Sequence, residues 1–266
     1  MMTRKILITG AAGGLGRKLR ADFRHRGWDF RPIGLNPAGD PDVAVADLAE
    51  YSQDWARHFS GVDTVIHLAA ATSHRPEELW RNNFLATENA VRAALAHGVR
   101  RIVFASSNWV MAGYRNSSEQ ITTALLPKPV ELYGYSKLHG ERIGALAATQ
   151  GLSFIALRIG WCPYHNQDRA VLARHPNLWE RLMWISDRDM CQGFRRAIEC
   201  DADGHVVLNL MSDNAGMRWD IAQTRDVLGY VPEDSSKVAV TLHDAYLSMR
   251  RRFYTKLRNR AARYPV

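Results

Sequence analysis

Lys5-Ile6-Leu7-Ile8-Thr9-Gly10-Ala11-Ala12-Gly13-Gly14-Leu15-Gly16 decides the fold. Its first part is a short apolar run of the kind that forms a buried strand. Glycines follow at 10, 13 and 16, and Arg17-Lys18-Leu19-Arg20-Ala21-Asp22-Phe23 continues with helical spacing. Strand, glycine turn and helix in this order make a dinucleotide-binding fingerprint. The glycines permit a tight turn and a close approach of backbone to pyrophosphate. The helix N-terminus adds unpaired N–H groups and the positive end of a dipole. Gly10, Gly13, Gly14, Leu15 and Gly16 are the candidate contacts.

Beyond this unit, strand-like and helix-like segments alternate. Strands are expected at 30–35, 43–46, 64–68, 102–105, 154–158 and 206–210, and helices at 14–26, 54–59, 76–97, 134–150 and 187–199. Such alternation implies an α/β chain with a doubly wound parallel sheet and helices on both faces. At 266 residues the chain can bury one large core, and no repeat, low-complexity tract or linker divides it. One domain over 1–266 is expected, with a small C-terminal substrate-binding subdomain drawn mainly from 161–184 and 211–266. Ser186-Asp187-Arg188-Asp189 reads as a capping box opening a helix.

Two stretches carry candidate chemistry. Tyr133-Gly134-Tyr135-Ser136-Lys137 sets a phenol and an ammonium four residues apart, on one face of a helix. The positive charge should lower the tyrosine pKa from about 10 toward the working pH, as a general base requires. Tyr-x-x-x-Lys alone is also common on solvated helix faces. Arg101-Ile102-Val103-Phe104-Ala105-Ser106-Ser107-Asn108 is an apolar strand ending in two serines. Ligands of open parallel sheets sit at the carboxyl ends of strands, so a hydroxyl there can hold a substrate oxygen. A plain turn would also explain the serines; Ser107 is preferred over Ser106.

Together these elements resemble the short-chain dehydrogenase/reductase superfamily, in its extended branch of sugar epimerases, dehydratases and dehydrogenases with Rossmann folds. Further matching segments are Asp47-Leu48, Leu68-Ala69-Ala70-Ala71, Asn83 and Arg158-Ile159-Gly160. Within the branch the chain looks most like the NAD-dependent uronate dehydrogenases, through 104–108, 133–137, 157–160 and Trp184-Ile185-Ser186. The resemblance implies oxidation of a hydroxyl on a sugar or sugar acid. Tyr133 would be the general base, Lys137 the holder of the nicotinamide ribose, and Ser107 the group positioning the reacting oxygen. Asn108 would contact substrate or orient the serine loop. Asn36, Asp47, Leu48, Leu68, Ala69, Ala70, Asn83 and Ile159 would join the glycines, Tyr133 and Lys137 around the cofactor. Thr72, Ser107, Asn108, Trp109, Trp161 and Arg181 would face the substrate. The resemblance also implies a homodimer paired through helices near 82–97 and 134–150.

The departures bear on specificity. Uronate dehydrogenases carry histidine where this chain has Trp109 and serine where it has Trp161. Their carboxylate-binding arginine falls at Trp179, with Arg181 two places off. A tryptophan buries about 150–250 Å² and has one polar handle, so the pair makes a more apolar or narrower pocket, or else packs a subdomain interface. Arg169, Arg174, His175 and Arg181 could grip an acidic group, or simply lie in a solvated loop. The acid that usually ends the second strand of NAD enzymes aligns with Gly34, so both NAD and NADP are admitted. Arg17 stands after the last glycine in either case.

Composition narrows the remaining classes. The net charge is +8, but residues 250–266 carry seven basic side chains and no acidic one. Tyr246, Leu247, Phe253, Tyr254 and Leu257 interleave with them, so a docked helix with a solvated basic face is preferred over a nucleic-acid contact. No signal peptide or apolar span is visible, and a cytoplasmic protein without a membrane partner is expected. Cys162, Cys191 and Cys200 are odd in number and lack metal-ligand spacing, which implies reduced thiols and no metal site. Two rival functions use the same fold. A nucleotide-sugar epimerase or dehydratase would retain its NAD and usually has a larger C-terminal part. A non-catalytic cofactor sensor would lack the tyrosine or the lysine.

Overall fold

In a computed structural model, residues 5–164, 166, 177–236, 246, 249 and 250 are described. The elements run β1 (Ile6–Thr9), α1 (Gly14–His25), β2 (Phe30–Gly34), β3 (Ala44–Val45), α2 (Gln53–Ala56), β4 (Thr64–His67), α3 (Pro76–Leu79), α4 (Ala86–Ala96) and β5 (Arg101–Ser107). They continue with α5 (Leu132–Ala148), β6 (Ser153–Ile159), α6 (Leu178–Leu182), α7 (Asp187–Glu199), β7 (His205–Leu210) and α8 (Ala222–Leu228). The strands form one sheet in the order β3-β2-β1-β4-β5-β6-β7, with every pairing parallel. The chain winds outward from β1 through β2 to β3, then returns to lay β4 on the other side of β1. That reversal opens a crevice at the carboxyl ends of β1 and β4, where such sheets bind ligands.

Strand β1 shows why the sheet is buried on both faces. Ile6 and Ile8 join one apolar layer with Leu19, Phe23 and Phe194, while Leu7 joins the opposite layer with Val65, Ala90 and Ala94. Alternate residues thus feed alternate faces, as the two-residue period of a strand requires. A third cluster gathers Val110, Met111, Leu138, Trp179, Met183, Met211 and Trp219. Trp179 meets Trp219 edge-on, with centroids 4.4 Å apart. This cluster joins the turn after β5 to segments after β6 and β7.

All seven expected strands form, but boundaries differ. β5 and β6 each extend to seven residues, because they pair with one another along their whole length. The expected helix 76–97 is broken by a π-helical stretch, Trp80–Leu85. The segment 54–59 divides into α2 and a 3-10 turn, Arg57–Phe59. α6 and α8 were not foreseen. The capping box at 186–189 is half formed. Ser186 caps α7 by accepting from the Asp189 amide, but the Asp189 carboxylate does not reciprocate. It accepts instead from the Ser212 hydroxyl and from the amides of Glu233 and Asp234. The segment after β7 is thereby tied to α7.

Two glycines of the opening motif are fixed by geometry. Gly10 has φ +64°, and a Cβ there would lie 2.7 Å from the Ala69 amide nitrogen. A Cβ on Gly16 would lie 2.6 Å from the carbonyl oxygens of Gly10 and Ala11. The first helix can pack against the turn only without side chains at these two places.

Candidate active site

The crevice holds a cavity of about 540 Å³. One wall is the start of α1. Gly13 is the N-cap, no side chain caps the helix, and the first intrahelical bond runs from the Arg17 amide to the Gly13 carbonyl. The amides of Gly14, Leu15 and Gly16 therefore have no acceptor within the helix. All three residues line the cavity, and a Cβ at Gly14 would meet only the Tyr164 ring at 3.8 Å. A row of available donors with no side chain in front suits a pyrophosphate, so the residues present fit a dinucleotide. Arg17 is anchored to the same loop, its Nε donating to the Ala12 carbonyl at 2.7 Å.

The opposite wall carries Ser107, Tyr133 and Lys137, all lining the one cavity. Ser107 ends β5, and its hydroxyl accepts from the Trp109 amide at 3.2 Å, so the turn fixes it. Tyr133 lies in the first turn of α5, and its phenol faces the same cavity as Ser107. Lys137 is one turn on and only 4 % exposed, with its Nζ 5.7 Å from the Tyr133 ring centroid and 5.1 Å from that of Phe104. Burial pushes the Lys137 ammonium down to about 8. The Tyr133 phenol goes up, because burial outweighs the opposing hydrogen bond with Ser107. This corrects the expectation that Lys137 lowers the tyrosine pKa: desolvation dominates, and at neutral pH the group is a phenol.

Two buried networks hold these walls together. The Glu141 carboxylate accepts from Ser106 at 2.6 Å and from both arms of Arg158, at 2.9 and 2.8 Å. On the cradle side, the Thr9 hydroxyl accepts from the amides of Leu68 and Ala69. Its proton then goes to His67 Nδ1 at 2.8 Å, which leaves Nε2–H to donate to Thr87 at 3.1 Å. His67 is fully buried and pushed down to about 3, first by burial and then by the charge of Lys137, so it stays neutral.

The remaining sequence candidates divide in two. Leu68, Ala70, Thr72, Trp109, Ile159 and Trp161 line the cavity with the glycines and the Ser107–Tyr133–Lys137 group. Trp109 and Trp161 are half-buried, so both reach the cavity. Several others do not line it. Asn83 is buried, with its amide spent on the Ala71 backbone and on Ser136. It shapes the loop after β4 instead of facing the cavity. Asn108 is fully buried and donates to the Arg158 carbonyl at 2.9 Å, which favours orientation of the serine turn over substrate contact. Arg181 is buried outside the cavity wall, while its neighbour Glu180 is part of it. Ala69 backs Gly10. Asn36 turns on itself by accepting from the Ala38 amide. Asp47 accepts from the Ala49 amide and pairs with Arg81 at 2.9 Å, and Leu48 is buried in the core. Arg169, Arg174, His175 and residues 251–266 lie outside the described residues.

Sequence reasoning missed His74, Glu131, Cys162, Glu180 and Met183, which all line the cavity. None stands in a motif, and only the folding of distant segments over the crevice brings them there. The Cys162 thiol is pushed up to about 12 by burial, so it is a poor nucleophile.

A capless helix N-terminus at a topological switch point, facing a Ser–Tyr–Lys group, defines the class of dinucleotide-dependent α/β enzymes. The chain belongs to the NAD dependent epimerase/dehydratase family, whose profile matches residues 6–162. It is 34% identical over 246 residues to a uronate dehydrogenase of Pseudomonas putida, covering 88% of this chain and 85% of that protein. It is 31% identical over 255 residues to an L-arabinose 1-dehydrogenase (NAD(P)(+)) of Haloferax volcanii, covering 89% of this chain and 99% of that protein. Among solved structures, a glucuronic acid dehydrogenase from Chromohalobacter salexigens superposes with a TM-score of 0.77 at 29% identity, covering 89% and 86% of the two chains.

Proposed function

We propose that this protein is an NAD(P)-dependent dehydrogenase that oxidises a hydroxyl of a sugar or sugar acid, with Tyr133 as its general base. The observation that carries this reading is that Ser107, Tyr133 and the buried Lys137 share one cavity with the open amides of α1. The family and the sugar dehydrogenases among its relatives support the same class of reaction.

Each residue has a chemical task in this reading. The amides of Gly14, Leu15 and Gly16 hold the pyrophosphate, and Lys137 holds the nicotinamide ribose. Ser107 donates to or accepts from the substrate hydroxyl and keeps its oxygen beside the Tyr133 phenol. Tyr133, once ionised, takes the hydroxyl proton as the carbonyl forms. When bound, the oxidised nicotinamide supplies the acceptor for the hydride leaving the substrate carbon. Leu68, Ile159 and Trp161 line the same cavity.

A homodimer belongs to the proposal. Tyr135, His139 and Leu146 form one stripe on α5, and Trp80 and Phe84 stack beside it through the Phe84–His139 contact, at 5.0 Å. Trp80, Tyr135 and Leu146 are more than half exposed, which suits a helix-on-helix contact with a second copy. Sedimentation of the purified protein would test that contact. For the activity, the purified protein is offered NAD⁺ or NADP⁺ with aldoses, uronic acids and sugar phosphates. Cofactor reduction with any of these supports the reading. Cofactor binding with no turnover of any sugar would point to a sensor, and cofactor retained through purification to an epimerase.

A further inference from the structure

We propose that the cofactor cradle admits a 2′-phosphate, so that the protein takes NADP alongside NAD, and that Gly34 is the residue that decides this. The inference rests on the proposed function and narrows its cofactor. In dinucleotide-binding folds an acidic side chain about 20 residues beyond the glycine turn accepts from the ribose 2′-hydroxyl. The same carboxylate repels a 2′-phosphate, which is discrimination by exclusion. That place is the end of β2, where this chain has Gly34.

The backbone does not demand glycine there. A Cβ on Gly34 would meet the Val43 side chain at 3.7 Å, the Ala11 amide nitrogen at 3.8 Å and the Gly10 Cα at 4.0 Å, all ordinary contacts. Gly10 and Gly16 have no such room. The same neighbours show that a side chain at 34 would start beside the glycine turn. The Ala11 amide ties that turn to β2 by donating to the Ile33 carbonyl at 3.1 Å. An acid could therefore stand at this position, and the chain does without one.

The acids that follow β2 are committed to other partners. Asp40 pairs with Arg20 at 2.8 Å and accepts from the Asp42 amide at 3.0 Å. The Arg20 side chain is 2% exposed, so this pair pins the loop after β2 to α1. Asp42 pairs with Arg24 at 2.5 Å, and Asp47 with Arg81. Two residues beyond Gly34 stands Asn36, which is exposed and uses its side-chain oxygen to accept from the Ala38 amide at 2.8 Å. Its Nδ2 is a donor, which suits a phosphate oxygen. Arg17, exposed in the first turn of α1, is held through its Nε by the Ala12 carbonyl and brings a positive charge to the same turn. A donor and a cation favour a phosphate dianion, and position 34 carries no carboxylate to turn it away.

Calorimetric titration of the full chain with NAD⁺ and with NADP⁺ tests this without any sugar present. NADP⁺ should bind no more than about tenfold more weakly than NAD⁺. Gly34→Asp should weaken NADP⁺ by at least about tenfold and leave NAD⁺ no weaker, because the new carboxylate accepts from the 2′-hydroxyl. Gly34→Ala adds the Cβ without the charge and should keep the unaltered ratio of the two affinities. NADP⁺ weaker than NAD⁺ by far more than tenfold in the unaltered protein would overturn the inference while the dehydrogenase reading stands. Failure to bind either dinucleotide would overturn both. The role given to Gly34 would fall if Gly34→Asp kept the unaltered ratio, or if Gly34→Ala shifted it as far as Gly34→Asp does.

Discussion

Ser106 donates to the Glu141 carboxylate at 2.6 Å, which bonds the strand carrying Ser107 to the helix carrying Tyr133 and Lys137. Arg158 completes the pair, and both charged side chains are at most 4% exposed. A charge left alone at such depth is costly, so Glu141→Gln should destabilise the fold by about 3–5 kcal/mol. Denaturant unfolding checks this. Ser106→Ala should cost less, about 1–3 kcal/mol, and lower kcat more than it raises cofactor KM, because Ser107 loses its alignment with Tyr133.

Gly16→Ala puts a methyl where two carbonyl oxygens already stand at 2.6 Å. The start of α1 must shift, and with it the amides of Gly14 and Leu15. Cofactor affinity, followed by fluorescence titration, should fall by at least about tenfold, and the melting temperature should fall with it, because the clash is with backbone atoms.

The raised Tyr133 pKa sets a direction for pH dependence. Oxidation needs the phenolate, whose fraction grows about tenfold per pH unit below its pKa. The oxidation rate should therefore climb through neutral into alkaline pH, and the reverse reduction, in which the phenol donates, should be favoured at lower pH. Lys137 titrates at about 8, so its charge fades over the same range. Initial rates in both directions across pH check this, and a flat oxidation profile would contradict it.

His67 makes a separate prediction about acid stability. Its folded pKa of about 3 lies below the ordinary value of 6.5, so the unfolded chain binds a proton that the folded one refuses. Its contribution is present above 6.5 and is lost as pH falls toward 3, at up to about 1.4 kcal/mol per pH unit. Replacing His67 with Asn should flatten this dependence in urea unfolding, at the cost of lower stability at neutral pH.

Much of this architecture was legible in local pattern. The strand–glycine–helix opening, the apolar runs of the other six strands and the four-residue spacing of Tyr133 and Lys137 are short-range signals, and the fold preserves them. What sequence could not reveal depends on distant partners. Asn83 and Asn108 look like polar site residues, yet burial commits their amides to the Ala71 and Arg158 backbones. Arg181 resembles an anion grip, but its helix turns Glu180 to the cavity. The Tyr133 pKa is not legible in the sequence, because spacing reveals the neighbouring charge but not how much water burial removes.

The central claim is proton removal by Tyr133, and the most direct measurement is cofactor reduction by Tyr133→Phe beside the unaltered protein. The account predicts retained cofactor affinity and a turnover lower by roughly 10²–10⁴-fold. Turnover equal to that of the unaltered protein would contradict it.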